Sequence, residues 1–398
     1  LSPFHTMQRG RCSCEYGAAI HQAKGRFWRM HTLSVCMIVK NEEEVLSRCL
    51  ASAVQFADEV VVVDTGSVDK TKEIARQYTE KVYDFAWQDD FAQARNFAFS
   101  KGTCDYLMWL DADDVVTPEN IERIRELKRT MDGAVDLVMM QYRVAFDAAG
   151  QPTFAYERER IVKRGAGFVW EGAVHEVIAP AGRILHSDIA IEHRKEKPGD
   201  PDRNLRIYQA MVDRGEALEP RAQYYYAREL YYHAAYQQAA DVFEAFLAEG
   251  RGWVENNIGA CQDLSLCYHQ LGKEEKALQA LLRSFVYDAP RAETCCELGH
   301  LFYQRRMFET AVFWYQTALS RPMDLTRGFV QPDCYGYIPY IQLCLCYDAM
   351  GQWEKAAAYN EKAAAYKPDD ASVAYNRAYF AQKRAENAMA QRSAKESV

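Results

Sequence analysis

The chain has 398 residues, which is enough for two or three domains of ordinary size. Hydrophobic residues make up 49% and charged residues 26%, as in a globular protein, while 13% aromatics exclude a disordered chain and only 21 Gly and 12 Pro exclude a collagen-like one. The formal net charge of −8 argues against general binding to nucleic acid, and no apolar run approaches the roughly 20 residues that cross a bilayer.

The N-terminal region differs in composition from the rest of the chain. Residues 1–31 hold five Arg and Lys residues against a single Glu, and they contain no apolar core of the kind that a secretory signal needs. We expect a basic, flexible extension there; the alternative is a basic arm that touches anionic lipid or a partner. Twelve Cys are spread along the chain, many of them in apolar runs, which is typical of reduced thiols in a cytoplasmic protein.

Strands and helices alternate across residues 32–194. Three short runs are apolar on nearly every residue and predict strands buried on both faces of a sheet: Leu33–Val39, Glu59–Val63 and Asp105–Leu110. Helical segments lie between them, and Asp90 is placed to cap one of these helices. The alternation predicts an α/β domain with a parallel sheet and a site at the carboxyl ends of its strands.

The second half of the chain is almost wholly helical, and it repeats. Ala277 and Ala311 occupy matching positions 34 residues apart, which is the length of a tetratricopeptide unit, and Ala356 follows after a longer step of 45 residues. An ordinary helical bundle is the alternative. We therefore divide this half into a linker and connecting helix at 195–220, tetratricopeptide-like repeats at 221–384 and a flexible tail at 385–398.

Two acidic residues leave the strand Asp105–Leu110 in alternation, at Asp111 and Asp113. Carboxylates placed this way crowd like charge unless a cation neutralises them. Mg²⁺ and Mn²⁺ take oxygen ligands and commonly join one or two carboxylates to a substrate diphosphate. Because the pair follows a buried strand, the sequence favours a metal site over a chance match.

Two more motifs carry candidate binding groups. Asp64 ends the strand Glu59–Val63 and can accept a hydrogen bond from a base or ribose, although a well-capped strand–turn–helix junction explains the same residues. Arg95 lies one turn into the helix that Asp90 caps, where its planar fork can bind phosphate. A further strand end leads into a helix at Glu42.

The segments VKNEE, VVVDTGSVDKT, FAQARNFA and LDADD occur in the order of the family-2 glycosyltransferases with the GT-A fold, and at about their spacing. The chain resembles that family over residues 33–194. The resemblance implies an α/β GT-A domain, Rossmann-like with a mostly parallel sheet, followed by an all-α tetratricopeptide repeat domain. It also implies a nucleotide-sugar donor, most commonly a UDP-sugar, and Mn²⁺ or Mg²⁺ as cofactor.

The same resemblance implies roles for single residues. Those that would bind the nucleotide-sugar are Asp64, Glu42, Arg95 and Asp111. Asp113 would be the main metal ligand, with Asp111 beside it. His193 ends an alternating strand, at the position where many GT-A enzymes have a third metal ligand.

The acceptor side of the site is expected in the segment 170–176. It lacks the usual Glu-Asp pair of the family and the Gln-x-x-Arg-Trp motif of its processive members. An inverting transfer needs a carboxylate that takes the acceptor proton, and Glu176 is the first candidate, with Glu171 the second. His175 is expected to orient this carboxylate or to bind the metal; the alternative is a satisfied polar residue under a loop.

Repeats fused to such a domain are similar to soluble bacterial transferases of the family, including the peptide S-glycosyltransferases of glycosylated bacteriocins. The sequence thus predicts a metal-dependent, inverting transferase whose repeats bind a peptide or protein acceptor. One alternative is a transferase for a surface glycan or lipid-linked sugar, with repeats that recruit a protein partner; another is a non-enzymatic scaffold. A nucleotidyltransferase is disfavoured because Val39–Glu42 lacks a Gly-rich signature.

Overall fold

The computed structural model describes residues 30–146, 150, 152–196, 199–324 and 330–396. Most of the predicted N-terminal extension therefore lies outside the described residues. His31, near the end of that segment, contacts the first domain: its backbone N–H donates to the carbonyl of Lys128 at 3.0 Å, and its ring Nε2 lies 3.1 Å from the carbonyl of Met131.

An α/β domain comes first. Its strands are β1 (Leu33–Val39), β2 (Glu59–Asp64), β3 (Val82–Asp84), β4 (Tyr106–Trp109), β5 (Asp114–Val115), β6 (Leu137–Phe146), β7 (Pro152–Lys163), β8 (Trp170–Glu171), β9 (Val177–Ile178) and β10 (Ile184–His193). Its helices are α1 (Leu46–Ala53), α2 (Thr71–Arg76), α3 (Phe91–Lys101) and α4 (Pro118–Thr130). The strand and helix alternation confirms the predicted fold class.

Eight strands form one sheet in the order β3-β2-β1-β4-β7-β6-β10-β5, and β8 pairs with β9 in a small second sheet. The first four strands of the order are parallel, so β1, β2 and β4 all end at the same edge. Strand β7 is antiparallel to both of its neighbours, and β10 runs parallel to β6. The carboxyl edge of the parallel strands therefore collects the residues that follow them.

The sheet is buried on both faces, as its continuous apolar strands predict. Val35 and Met37 of β1 pack into one apolar cluster with α1 and α4, whereas Cys36 packs on the opposite face with α3. Helix α3 begins at the predicted cap, because the Asp90 carboxylate accepts a hydrogen bond from the backbone N–H of Gln93 at 2.9 Å. This cap fixes the helix that carries Arg95.

The second domain is helical throughout its described residues. Its α-helices are α5 (Arg203–Asp213), α6 (Pro220–Tyr232), α7 (Tyr236–Glu249), α8 (Val254–Gln270), α9 (Glu274–Arg283), α10 (Ala292–Gln304), α11 (Phe308–Leu319), α12 (Tyr337–Ala349), α13 (Trp353–Ala364) and α14 (Ala371–Glu396). From α6 to α13 they pack as consecutive pairs, which is the arrangement of tetratricopeptide units.

Small residues set the spacing within these pairs. Ala277, Ala311 and Ala356 are fully buried, as the repeat pattern predicts. A Cβ placed on Gly299 in α10 would lie 2.7 Å from the ring of Tyr315 in α11, so glycine allows the two helices to approach closely.

The C-terminal segment 385–398, predicted as a flexible tail, is helical as far as Glu396. Helix α14 continues to Glu396, and its first half is anchored by the buried side chains of Val373 and Phe380. The residues beyond this anchor are rich in Ala, Glu, Gln, Lys and Arg, which favour a helix even without packing. Among the described residues, no helix is both long enough and apolar enough to cross a membrane.

Candidate active site

The carboxyl edge of the sheet brings together residues from three strand ends. Asp111 and Asp113 follow β4, and His193 ends β10, where it pairs with Asp114 of β5. One ligand atom from each of Asp111, Asp114 and His193 lies within 4.8 Å of the other two. Asp113 joins this group, because its Oδ1 lies 3.2 Å from His193 Nδ1.

Asp114 is the buried member of the group, and it was missed as a site residue. Its Oδ2 accepts hydrogen bonds from the Asp111 N–H and from the Arg160 guanidinium, both at 3.1 Å. Its Oδ1 accepts a bond from the hydroxyl of Tyr142 at 2.9 Å. Because all of these partners are protein groups and its side chain has no exposure, Asp114 supports the site from behind.

Asp111, Asp113 and His193 are the accessible members. Their side chains keep 29%, 22% and 25% of their surface exposed. Burial would lower the pKa of His193, but hydrogen bonds with Asp113 and Asp114 outweigh it and raise that pKa to about 10. Asp111, Asp113 and His193 are the residues predicted to hold a metal, whereas the described group whose ligand atoms all lie within 4.8 Å of one another is Asp111, Asp114 and His193. A metal that used His193 would have to displace the proton that Asp113 and Asp114 hold on its ring.

Arg160 is the largest of the fully buried side chains and was also missed. Its guanidinium lies 3.5 Å from the ring centroid of Trp109 and 4.1 Å from that of Tyr142. Its Nη1 donates to Asp114, while Nε and Nη2 have no hydrogen-bond partner in the described part of the chain. The sequence signal was the alternation of Arg and Glu at 157–160, which is typical of a half-exposed strand and gives no hint of an Arg in the core.

Arg95 links the two sides of the site. Its Nη2 donates to Asp111 Oδ1 and its Nε donates to Glu176 Oε1, each at 2.7 Å. The guanidinium lies 5.0 Å from the centroid of Trp109 and 4.8 Å from that of Trp170, and these two indole rings pack edge to face with their centroids 5.3 Å apart.

Arg95 and Asp111 stabilise each other in their ionised forms. Burial would lower the pKa of Arg95, but the carboxylates of Asp111 and Glu176 raise it. Burial would likewise raise the pKa of Asp111, but the charges of Arg95 and Arg160 lower it to about 2. Arg95 is therefore a permanent cation that ties an acceptor-side carboxylate to a strand-end carboxylate.

Asp64 lies almost fully buried at the end of β2. Its Oδ1 accepts hydrogen bonds from the backbone N–H groups of Gly66 and Ser67 at 3.0 and 2.9 Å, so it does form the turn that the sequence allows. Gly66 has φ +104°, which favours glycine at this turn. Within the described residues, Oδ2 of Asp64 is buried without a hydrogen-bond partner, and a bound N–H donor would satisfy it.

The loop after β1 is tied to the loop that holds Asp64. The backbone N–H of Glu42 donates to Thr71 Oγ1 at 2.7 Å, and that of Asn41 donates to Ser67 Oγ at 2.9 Å. Asn41 has φ +56°, in the left-handed region that Asn tolerates better than most residues. These contacts place Glu42 beside the Asp64 turn, as expected for two parts of one binding edge.

The acceptor-side segment is fixed to helix α3. The side chain of Asn96 donates to the carbonyl of Trp170 at 2.9 Å and accepts from its N–H at 2.8 Å. Glu171 lies exposed on β8, whereas the Glu176 side chain is only 13% exposed and is held by Arg95. Of the two candidate bases, Glu176 is thus the one that Arg95 joins to Asp111.

His175 does not lie where the sequence predicts. Its Nε2 lies 3.1 Å from the Glu229 carboxylate of α6, and its ring stacks on Tyr225 at 4.2 Å with an interplanar angle of 18°. Its φ of +54° lies in the left-handed region, and both of these contacts are with α6 of the helical domain. The expectation that His175 orients Glu176 directly or binds the metal is therefore corrected: its ring belongs to the junction between the domains.

Comparison with known proteins agrees with this picture of the first domain. Residues 34–193 match the family model described as Glycosyl transferase family 2. The first domain is therefore a family 2 glycosyltransferase domain, and the helical repeats that follow are tetratricopeptide-like. The protein is a glycosyltransferase.

Two curated relatives match over half or more of this chain. A TPR repeat-containing protein of Synechococcus elongatus is 28% identical over 336 residues, covering 82% of this chain and 76% of that protein. The SPbeta prophage-derived glycosyltransferase SunS of Bacillus subtilis is 25% identical over 225 residues, covering 53% of this chain and 52% of SunS. This chain thus spans only about half the length of SunS.

A solved structure also matches. It is glucosyl-3-phosphoglycerate synthase from Mycobacterium tuberculosis in complex with Mg²⁺ and UDP, with 17% sequence identity and a TM-score of 0.33 over 48% of this chain and 81% of that one.

Proposed function

We propose that this glycosyltransferase moves a sugar, with inversion, from a UDP-sugar to a peptide or protein acceptor, and that it needs Mn²⁺ or Mg²⁺. The observation that carries the proposal is the Arg95 bridge, which joins Asp111 of the strand-end group to Glu176 of the acceptor segment. On this proposal, the groups that bind the donor and the group that activates the acceptor lie within hydrogen-bond distance of the same Arg95 guanidinium.

The donor would bind along the strand ends. Asp64 offers a buried, unpartnered Oδ2 that suits the N–H of a nucleotide base, and Glu42 lies on the loop tied to the same turn. Arg95 would face the diphosphate with its fork, since it is held charged and its side chain lies against Asp111.

The metal would be held by Asp111, Asp113 and His193. Two carboxylates and an imidazole form a donor set that suits Mn²⁺, and the partial exposure of all three leaves room for the oxygens of a substrate diphosphate. When bound, the ion would stabilise the negative charge that develops on the departing diphosphate. Asp114 would keep the neighbouring backbone in place through its bond to the Asp111 N–H.

Glu176 would act as the base on the acceptor side. It would take the proton from the attacking hydroxyl or thiol while the bond from that atom to the sugar C1 forms and the bond from C1 to the diphosphate oxygen breaks. A single displacement of this kind inverts the configuration at C1. The hydrogen bond from Arg95 Nε would hold the Glu176 carboxylate in position beside Asp111.

A polypeptide acceptor is supported by the position of the repeats. Tyr225 of α6 stacks on His175, so the first repeat begins next to the candidate base. Tyr232, two turns further along α6, is 61% exposed and offers aromatic surface in the same helix. Stacked tetratricopeptide units form a concave face that suits an extended peptide.

The proposal is tested with the full chain, Mn²⁺ and a panel of UDP-sugars. We expect one UDP-sugar to raise the thermal midpoint through mass action and to release UDP slowly in water. Peptide libraries and a lipid-linked oligosaccharide are then offered as acceptors. Transfer to peptide with inverted anomeric configuration supports the proposal. Transfer to the oligosaccharide alone would refute the proposed peptide acceptor, and the absence of UDP-sugar binding would refute the proposed donor.

A further inference from the structure

Three consecutive backbone carbonyls lead directly into Glu176, and each accepts a hydrogen bond from a different helix. The bonds are Phe91 N–H of α3 to Ala173 at 2.9 Å, the Tyr208 hydroxyl of α5 to Val174 at 3.3 Å, and Arg221 Nε of α6 to His175 at 3.2 Å. Two of the three donors belong to the helical domain. The segment that carries the candidate base is thus anchored from both domains at once.

The side chains of the segment reinforce this anchorage. Val174 is buried in the same apolar cluster as Tyr208 of α5. His175 bonds to Glu229, and that carboxylate also accepts a bond from the Asn204 amide of α5 at 3.1 Å. Burial would raise the pKa of Glu229, but its hydrogen bonds to His175 and Asn204 lower it, so it accepts these bonds as an anion.

The backbone of the segment needs such support. His175 has φ +54°, a conformation that costs a non-glycine residue free energy and that persists only where the surroundings determine it. The stacked ring of Tyr225 and the carboxylate of Glu229 fix the His175 side chain, and Arg221 fixes its carbonyl. If these contacts were lost, the direction in which the chain enters Glu176 would no longer be fixed.

We infer that helices α5 and α6 of the repeat domain form part of the catalytic scaffold, with Tyr208, Arg221 and Glu229 as positioning residues for Glu176. The inference rests on the proposed role of Glu176 as the base. The inference predicts how a truncated chain would behave, because cutting the chain near Asp202 would remove all three residues. An isolated first domain that failed to transfer sugar would have lost this anchorage as well as any acceptor-binding surface of the repeats.

The first test measures the anchorage itself by hydrogen exchange on the full chain. Glu229→Gln and Tyr208→Phe remove one anchor each. Their matched controls are Glu255→Gln, which breaks an equally buried ion pair with Arg291 in the next repeats, and Tyr268→Phe, which removes a hydroxyl of α8 bonded to Glu244 of α7, away from α5 and α6. We expect faster exchange in the peptide that covers residues 170–178 for the first pair only. Equal exchange in variants and controls would overturn the inference.

The second test asks whether the anchors act through Glu176. The reaction is hydrolysis of UDP-glucose and UDP-N-acetylglucosamine with Mn²⁺, in which water replaces the acceptor. Glu229→Gln should lower kcat about tenfold with the donor KM unchanged, since a small misplacement of a reacting group costs this much or more. In a Glu176→Gln background the same change should cost nothing further.

The outcomes separate the inference from the proposal on which it rests. Losses that multiply in the double variant would show that Glu229 acts on stability or folding and would refute positioning. Normal turnover in Glu176→Gln would refute the base assignment instead. The exchange experiment would still decide whether α5 and α6 hold the segment, because it requires no turnover.

Discussion

Replacing Asp64 with Asn separates the two tasks that this residue can perform. The turn task uses Oδ1, which accepts the backbone N–H groups of Gly66 and Ser67, and an Asn side chain keeps that oxygen. The second task would use Oδ2, which is buried and unpartnered in the described residues. In Asp64→Asn an NH₂ group replaces this oxygen, so an acceptor becomes a donor while size and shape are preserved.

The expected loss follows from the chemistry of that one atom. If the N–H of a nucleotide base donates to Oδ2, the NH₂ group of the Asn variant would face that N–H, and neither donor would have an acceptor. A buried polar group left unsatisfied costs about 1–3 kcal/mol. That range corresponds to an increase of about 5- to 150-fold in the Kd for UDP. The turn itself should survive, so the free energy of unfolding should change little.

The assay is calorimetric titration of UDP into the full chain with Mn²⁺, beside thermal unfolding of each variant. The control is Asp105→Asn, because the Asp105 carboxylate also anchors backbone, by accepting from the Thr32 N–H at 3.1 Å, but lies at the opposite edge of the sheet. Weaker UDP binding in Asp64→Asn and unchanged binding in Asp105→Asn are expected. An unchanged Kd in a stably folded Asp64→Asn would refute the nucleotide role and leave Asp64 as a turn residue alone.

Three further outcomes are expected. Asp113→Ala should lower the kcat of Mn²⁺-dependent transfer by about 100-fold or more. Its circular dichroism and thermal midpoint should stay close to those of the parent protein, because the side chain is partly exposed. Near-normal turnover would disprove the metal assignment. Glu176→Gln should lower kcat by about 100-fold or more with little change in donor affinity, and if Glu171→Gln does this instead, the base is Glu171. Gly299→Ala should destabilise the repeats by about 1–3 kcal/mol in urea unfolding, because the new Cβ would meet the Tyr315 ring at 2.7 Å, and an unchanged midpoint would show that the two helices can separate at no cost.

The strand ends could be predicted from the sequence because the signal there is local. Continuous apolar runs mark β1, β2 and β4, and polar residues follow each run directly. Parallel strands end at the same edge, so Asp64 and Asp111 lie at one edge of the sheet without any knowledge of side-chain packing. The 34-residue step between alanines located the repeats in the same way, since each small residue marks one helix pair.

The support behind the site could not be predicted, because it depends on long-range pairing. Arg160 reaches Asp114 only because β7 runs antiparallel to β4 with Met108 opposite Ile161, and nothing in the sequence fixes that register. The direction of His175 depends in the same way on α6, which packs against the segment from more than 40 residues further along the chain. The sequence motif therefore predicts that His175 and Glu176 lie near the site, but it does not predict which of these two neighbours contacts Arg95.

The structure also changes the physical argument for the metal. From the sequence, the two alternating carboxylates of Asp111 and Asp113 favour a cation that relieves their repulsion. In the structure, Asp114 already pairs with Arg160, and Asp111 already pairs with Arg95, so protein cations relieve most of that repulsion. Asp113 is left with His193 as its only ion-pair partner among the described residues. The need for a metal should therefore be concentrated at Asp113 and His193, and the Mn²⁺ dependence of Asp113→Ala is the measurement that isolates it.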